Sequence, residues 1–180
     1  MIYVFLASGF EEIEALTSVD ILRRCEQMVQ TVGVGGRVVR GSHGIPVVCD
    51  LTAEEIMPSE AEAIILPGGM PGTLHLEESV VVQKMIRHCV LEQKWIGAIC
   101  AAPSILGHMG LLRDKNATCF TGFEGELEGA RFVDAPVVKD GKIITSRGAG
   151  TAFEFAFALA EVLSSAARVE TLKAGMQWRK

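Results

Sequence analysis

Residues 95–104 read Trp95-Ile96-Gly97-Ala98-Ile99-Cys100-Ala101-Ala102-Pro103-Ser104, and they join an apolar run to a helix start through a cysteine. The apolar run before the cysteine favours a buried strand, and the small residues on both sides of Cys100 allow a tight turn. A strand that ends in a nucleophile and turns at once into a helix is typical of a nucleophile elbow. We therefore predict one reactive cysteine at the edge of a parallel sheet, where the helix dipole favours the thiolate.

The rest of the chain alternates between strand-like and helix-like runs, which predicts a doubly wound α/β sheet. We expect buried strands over residues 2–6, 29–34 and 63–66, and long helices over 11–28, 79–93 and 152–165. In the first helix, apolar residues from Ile13 to Leu22, with Leu16 among them, recur at helical spacing. We also expect a short helix over Ala53–Met57 and hairpins pairing 37–40 with 45–48 and 137–139 with 142–145. No linker or repeat divides the chain, so we predict a single domain over residues 1–180.

Composition excludes several classes of protein. Hydrophobic residues make up 49% of the chain and charged ones 22%, which is typical of a globular domain. The net charge of −5 and the lack of a basic block argue against sequence-specific nucleic-acid binding. No apolar stretch approaches the roughly 20 residues of a membrane span, and the apolar start is not preceded by a positive signal-peptide region. Five cysteines without CxxC spacing predict reduced thiols in the cytoplasm, with no zinc site or disulfide framework.

Three loops are expected to meet where the strand order reverses, because ligand sites of such sheets lie there. They are the loop 7–14, the glycine-rich loop 67–72 and the turn at Cys100. The N–H groups of Gly69 and Ala101 are candidates for an oxyanion hole. The alternative is a plain strand-to-helix turn without catalytic function.

The first helix begins with Glu11, Glu12 and Glu14, and we interpret the first two differently from the third. For Glu11 and Glu12, compensation of the helix dipole is the simpler interpretation. Glu14 has neither a basic partner nor a solvent-type face, so we expect its side chain to point into the fold. There a protonated carboxyl would hydrogen-bond the Cys100 thiolate or move a proton on a substrate carbon.

Four motifs together resemble the ThiJ/PfpI superfamily, and most closely its Parkinson-disease-associated protein deglycase (DJ-one) branch. They come in the family's order and cover nearly the whole chain. They are Gly9-Phe10-Glu11-Glu12-Ile13-Glu14, Leu66-Pro67-Gly68-Gly69, Ala98-Ile99-Cys100-Ala101-Ala102-Pro103 and Thr145-Ser146-Arg147-Gly148-Ala149-Gly150-Thr151-Ala152-Phe153-Glu154-Phe155.

The resemblance implies a flavodoxin-like three-layer sandwich, a homodimer, and chemistry without a cofactor or metal. It makes Cys100 the oxidation-prone nucleophile, Glu14 its partner acid, and Gly69 with Ala101 the backbone donors. The resemblance further places a set of residues at the site or the dimer rim, namely Glu11, Arg24, His43, Phe120 and Arg147.

Two residues depart from the pattern of relatives. Proteolytic members carry histidine directly after the cysteine, whereas Ala101 stands here, which argues against a protease. A histidine that assists catalysis in the vertebrate member is replaced by Phe120, which weakens the case for efficient glyoxalase chemistry.

These features leave three functional hypotheses. The first is a glyoxalase III or deglycase that acts on a small reactive carbonyl, methylglyoxal or a glyoxal adduct, through the Cys100 thiolate and Glu14. The second is a redox-sensing, stress-protective or chaperone-like protein whose Cys100 oxidises to sulfinic acid. The third is a scaffold that acts through its dimer surface only. Multiple turnover distinguishes the first two, because a sensor is consumed once.

Overall fold

The computed structural model describes residues 1–179 and shows a mostly parallel sheet between two layers of helices. The strands are β1 (Ile2–Leu6), β2 (Val29–Gly33), β3 (Val38–Arg40), β4 (Pro46–Val48), β5 (Leu51–Thr52), β6 (Ala63–Leu66), β7 (Trp95–Ile99), β8 (Asn116–Ala117), β9 (Arg131–Phe132), β10 (Val137–Asp140) and β11 (Ile143–Ser146). The helices are α1 (Glu12–Arg24), α2 (Gly72–Glu78), α3 (Val80–Leu91), α4 (Pro103–His108), α5 (Ala152–Leu163) and α6 (Ala166–Gly175).

Seven strands form the central sheet in the order β10-β11-β7-β6-β1-β2-β5. Only β10 runs antiparallel to its neighbour, β11. The chain proceeds from β1 to β2 on one side and then returns to β6, β7 and β11 on the other. The strand order therefore reverses between β1 and β6, and the carboxyl ends of these two strands define the expected ligand crevice.

Alternate residues of β1 send their side chains to opposite faces of the sheet, and each face has its own core. Ile2, Val4 and Leu6 pack in a buried cluster with side chains of α1, α5 and α6. Tyr3 and Phe5 belong to a second cluster with α2, α3 and α4. The predicted flavodoxin-like three-layer α/β sandwich is thus confirmed. No helix among residues 1–179 has the length and apolarity needed to cross a bilayer.

Several local predictions were wrong. Residues 53–55 form a turn and 56–57 have no regular structure, instead of the predicted helix, because the Glu55 carboxylate accepts the Thr52 N–H (2.6 Å) and pairs with Arg37. The sequence interpretation also missed α2, α6 and the short strands β5, β8 and β9. In α1, Ile13 and Leu16 are 53% and 37% exposed. They lie on the outer side of the helix, while Glu14 faces inward.

Candidate active site

Cys100 occupies a sharp turn between β7 and α4. Its backbone has a φ of 66°, a left-handed conformation that a non-glycine residue rarely adopts. The Cys100 N–H donates to the Ser146 carbonyl (3.0 Å), and its own carbonyl accepts the Phe120 N–H (2.8 Å). Strain at one residue that its neighbours hold in place is a common property of functional sites.

Two backbone N–H groups hydrogen-bond toward the Cys100 thiol, those of Gly69 and Ala101. Gly69 has a φ of 90° and lies directly against the backbone of residues 9–11, so a side chain has no room there. The loop after β6 and the turn after β7 therefore place one donor each on the sulfur. This is the arrangement that stabilises negative charge on sulfur or on an adjacent oxygen.

Glu14 lies beneath this turn and is 1% exposed. Its Oε2 accepts the Gly68 N–H (2.8 Å), while its buried Oε1 has no hydrogen-bond partner among the described residues. A Cβ on Gly68 would lie 2.5 Å from Cys100 Cβ and 2.8 Å from Glu14 Oε2. Gly68 is therefore the junction at which the acid and the thiol come together, and sequence reasoning missed its role although the glycine-rich loop was a signal for it.

The pKa values of Cys100 and Glu14 differ from the expectation of a lowered thiol pKa. Burial raises the pKa of Glu14 to about 7, although the Gly68 N–H and the Cys100 thiol lower it in part. Burial and the adjacent Glu14 carboxylate raise the pKa of Cys100 to about 12, against the lowering effect of the Gly69 and Ala101 N–H groups. The prediction that the helix dipole favours the thiolate is wrong, because burial and a second negative charge beside the sulfur outweigh the backbone donors.

The first turn of α1 holds two further carboxyl groups. Glu11 caps the helix, and its Oε2 accepts the Glu14 N–H (2.8 Å). Glu12, which the sequence interpretation assigned to the helix dipole, is 5% exposed. Its Oε1 accepts the backbone N–H of His43 (2.9 Å), and its Oε2 lies 2.9 Å from the ring nitrogen Nδ1 of the same residue.

Glu12 therefore anchors the turn of the β3–β4 hairpin. Burial works to raise its pKa, but hydrogen bonds, the largest from His43, lower that pKa to about 2. The exposed His43 has a raised pKa because of the same contact. Ligand atoms of Glu11, Glu12 and His43 lie within 4.8 Å of one another, the spacing of a metal site. Both oxygens of Glu12 are already used by the hairpin, so this trio is explained by structure alone.

Of the remaining predicted site residues, two lie next to Cys100 and one lies far from it. Phe120 is 49% exposed and lies next to the site, where its ring would be 3.2 Å from a Cβ on Gly148. Arg147 is held beside it by Asp134 (2.6 Å) and the Thr121 hydroxyl (2.7 Å). Arg24 is not at the Cys100 site, because it ends α1 about 15 Å along the helix from Glu14. There it pairs with Asp20 (2.7 Å), and a place at a dimer rim stays a prediction.

Comparison with known proteins places this arrangement in a family. Residues 1–162 match the model of the DJ-1/PfpI family. Protein dj-1beta of Drosophila melanogaster is 35% identical over 176 residues, covering 96% of this chain and 94% of the relative. Its crystal structure aligns with a TM-score of 0.94, covering 99% of this chain and 98% of that one, at 34% identity.

Two other relatives carry informative names. The glutathione-independent glyoxalase DJR-1.2 of Caenorhabditis elegans is 32% identical over 163 residues, covering 90% of this chain and 87% of the relative. The structure of an oxidized DJ-1 from Toxoplasma gondii aligns with a TM-score of 0.94 at 31% identity. That alignment covers 99% of this chain and 98% of the Toxoplasma chain.

Proposed function

This chain belongs to the DJ-1/PfpI family, and on that premise we propose that it is a cysteine-dependent glyoxalase or deglycase acting on methylglyoxal or glyoxal adducts. The observation that carries the proposal is the convergence of Cys100, Glu14 and the Gly69 and Ala101 N–H groups at the point where the strand order reverses. The C. elegans relative named as a glyoxalase supports the same chemistry at the level of the family.

In the proposed reaction, sulfur attacks the aldehyde carbon of methylglyoxal while the thiol proton passes to Glu14. A new C–S bond forms, and the carbonyl oxygen becomes a hemithioacetal oxyanion that the Gly69 and Ala101 N–H groups stabilise. Transfer of the proton to Glu14 removes the charge that opposes a thiolate. This coupling explains how a thiol with a raised pKa reacts near neutral pH.

Glu14 then gives this proton to the hemithioacetal oxygen and, as a carboxylate again, takes the proton from the aldehyde carbon and delivers it to the neighbouring ketone carbon through an enediol. The first carbon is oxidised to a thioester and the second is reduced to an alcohol, so no external oxidant or cofactor takes part. Water cleaves the C–S bond and releases lactate and the thiol. A carboxyl with a pKa near 7 is suited to both giving and taking a proton at that pH.

The second candidate is a redox sensor or stress-protective protein, for which two observations speak. Cys100 is only partly buried, and the Glu14 carboxyl lies beside it across Gly68, where its protonated form would donate to a sulfinate oxygen. The Toxoplasma relative has been solved in an oxidized form. In this account peroxide is the oxidant and each Cys100 is consumed once.

We also propose that the protein is a homodimer, as the family resemblance implies. Its support is the pair of exposed apolar residues on the outer side of α1, Ile13 and Leu16, near the hairpin on which Ile45 and Val48 are 52% and 71% exposed. Apolar side chains grouped on one face mark protein–protein contact.

The test is multiple-turnover consumption of methylglyoxal with lactate detection. We expect many equivalents of lactate from the wild type, none from Cys100→Ser, and a kcat lower by ~10²–10⁴-fold for Glu14→Gln. Glu12→Gln is the matched control and should keep kcat within about threefold, because Glu12 faces the hairpin.

Stoichiometric modification of Cys100 without lactate would contradict the glyoxalase proposal and favour the sensor. Equal losses of kcat in the Glu12 and Glu14 variants would remove the role given to Glu14.

A further inference from the structure

A cavity of about 180 Å³ lies at the end of the sheet opposite Cys100. It opens at the start of β7, about 16 Å along that strand from the nucleophile. The volume corresponds to roughly six water molecules at ~30 Å³ each, enough for a small organic molecule. Its inner wall is apolar and is formed by Cys89, Val90, Ile96, Leu111 and Ile143.

The rim of this cavity is positively charged. Lys94, Lys115 and Lys142 line it, which is three of the seven lysines in a chain of net charge −5. They come from separate segments: the α3–β7 loop, the segment before β8, and the β10–β11 turn. The fold therefore gathers cations here that are distant in sequence.

Little negative charge opposes these lysines. Lys115 Nζ lies 3.8 Å from Asp140 Oδ1, but the other oxygen of Asp140 already accepts the Asn116 N–H (2.9 Å). Lys142 Nζ lies 4.4 Å from the centroid of the Trp95 ring and is not in an ion pair within residues 1–179. Lys94 likewise forms no ion pair in that part of the chain. The Lys142 ammonium lies over Trp95, whose side chain packs with the cluster on the other face of the sheet, so Lys94 and Lys115 are the two cations at the cavity. One carboxylate, that of Asp140, lies beside Lys115.

We propose that this cavity binds a small organic carboxylate whose apolar body lies against the inner wall and whose charge lies beside Lys94 and Lys115. An apolar pocket with a few convergent polar groups is the usual form of a small-molecule site. The anion would offset the mutual repulsion of the ammonium groups, and each lysine would act as a point charge. The alternative is that the aliphatic parts of these lysine side chains only cover apolar surface while their ammonium groups stay in water.

The proposal is independent of the chemistry at Cys100 and is tested with benzoate as the probe, with neutral benzamide as its matched analogue. Titration calorimetry should show saturable benzoate binding and at least tenfold weaker benzamide binding. Added salt should weaken the benzoate complex, because partly exposed charges are screened. Backbone NMR shifts at Leu111 and Ile143 locate the probe in this cavity.

Variants distinguish binding in this cavity from a general effect of positive charge on the protein surface. Lys94→Gln combined with Lys115→Gln should weaken benzoate binding at least tenfold, with thermal unfolding to verify that the protein is folded. Lys84→Gln is the control, because Lys84 is exposed on α3 outside the cavity and its loss should leave the affinity unchanged. Cys100→Ser should also bind as the wild type does.

Three results would overturn the proposal: no saturable benzoate binding, equal affinity for benzamide, or the same loss in Lys84→Gln as in the double variant.

Discussion

Glu12 and Glu14 stand two residues apart in the first turn of α1, and their carboxyl groups are in opposite electrostatic states. They are 5% and 1% exposed, so burial alone does not distinguish them. The hairpin turn surrounds Glu12 with donors, whereas Glu14 receives one backbone N–H and has a buried oxygen without a partner. Their pKa values are accordingly about 2 and about 7.

This difference shows what separates an anchoring acid from a reacting one. A carboxyl that is fully hydrogen-bonded stays ionised and holds two segments together. A carboxyl that is buried and only partly hydrogen-bonded keeps its proton near neutral pH, and beside a nucleophile that proton is available for transfer. The orientation of the side chain around one helical turn decides which of the two environments each residue meets.

The largest effect we expect on stability is an opposite pH dependence of the two acids. The raised pKa of Glu14 means that the native state holds its proton more tightly than the unfolded state does. The contribution of Glu14 to the free energy of unfolding is therefore fully present below pH 4.5 and falls by about 3 kcal/mol as pH rises toward 7. Glu14→Gln should remove that fall, so its stability relative to wild type should rise across this window in denaturant titrations.

The stability that Glu12 contributes should depend on pH in the opposite direction. Its lowered pKa contributes stability above pH 4.5 that is lost as pH falls toward 2. The deficit of Glu12→Gln relative to wild type should therefore shrink on acidification. Parallel pH curves for wild type and both variants would contradict the distinction, since all other titrating groups are shared.

A smaller effect on stability is expected when the glycines that lie against each acid are replaced by alanine. Gly68→Ala forces a Cβ against Cys100 and Glu14, and Gly41→Ala forces one into the Glu12 carboxyl. Each should lower the free energy of unfolding by about 1–3 kcal/mol, the usual cost of overpacking. Only Gly68→Ala should also lose turnover, because only it separates the thiol from its acid.

Gly125→Ala is the control for this pair, because open space surrounds that glycine. It should stay within about 0.5 kcal/mol of wild type in denaturant unfolding. Full activity in Gly68→Ala would show that the close contact at Gly68 is not needed.

The sequence allowed the prediction of the alternating fold and of the position of Cys100 within it. Apolar runs bounded by glycine mark the strands, and a cysteine between Ile99 and Ala101 marks the turn. The inward orientation of Glu14 also followed from its neighbours. These features are local, so a short window of sequence determines them.

Other features depend on contacts between distant segments and were not predictable in this way. The burial of Glu12 requires the turn at His43, and the exposure of Ile13 follows from which side of α1 meets the sheet. The raised pKa of Cys100 requires Glu14 beside it and burial around it, neither of which a helix-dipole argument includes. Residues 53–57 failed to form a helix because the Glu55 carboxylate binds Thr52 and Arg37 instead.

The most direct test of the account is a pH titration of the Glu14 side-chain carboxyl by carbon-13 NMR, with the signal assigned by its loss in Glu14→Gln. The account predicts a midpoint near pH 7 in the wild type, with Glu12 still ionised far below that pH. A Glu14 midpoint near 4.5 would contradict the claim that this residue holds a transferable proton beside Cys100.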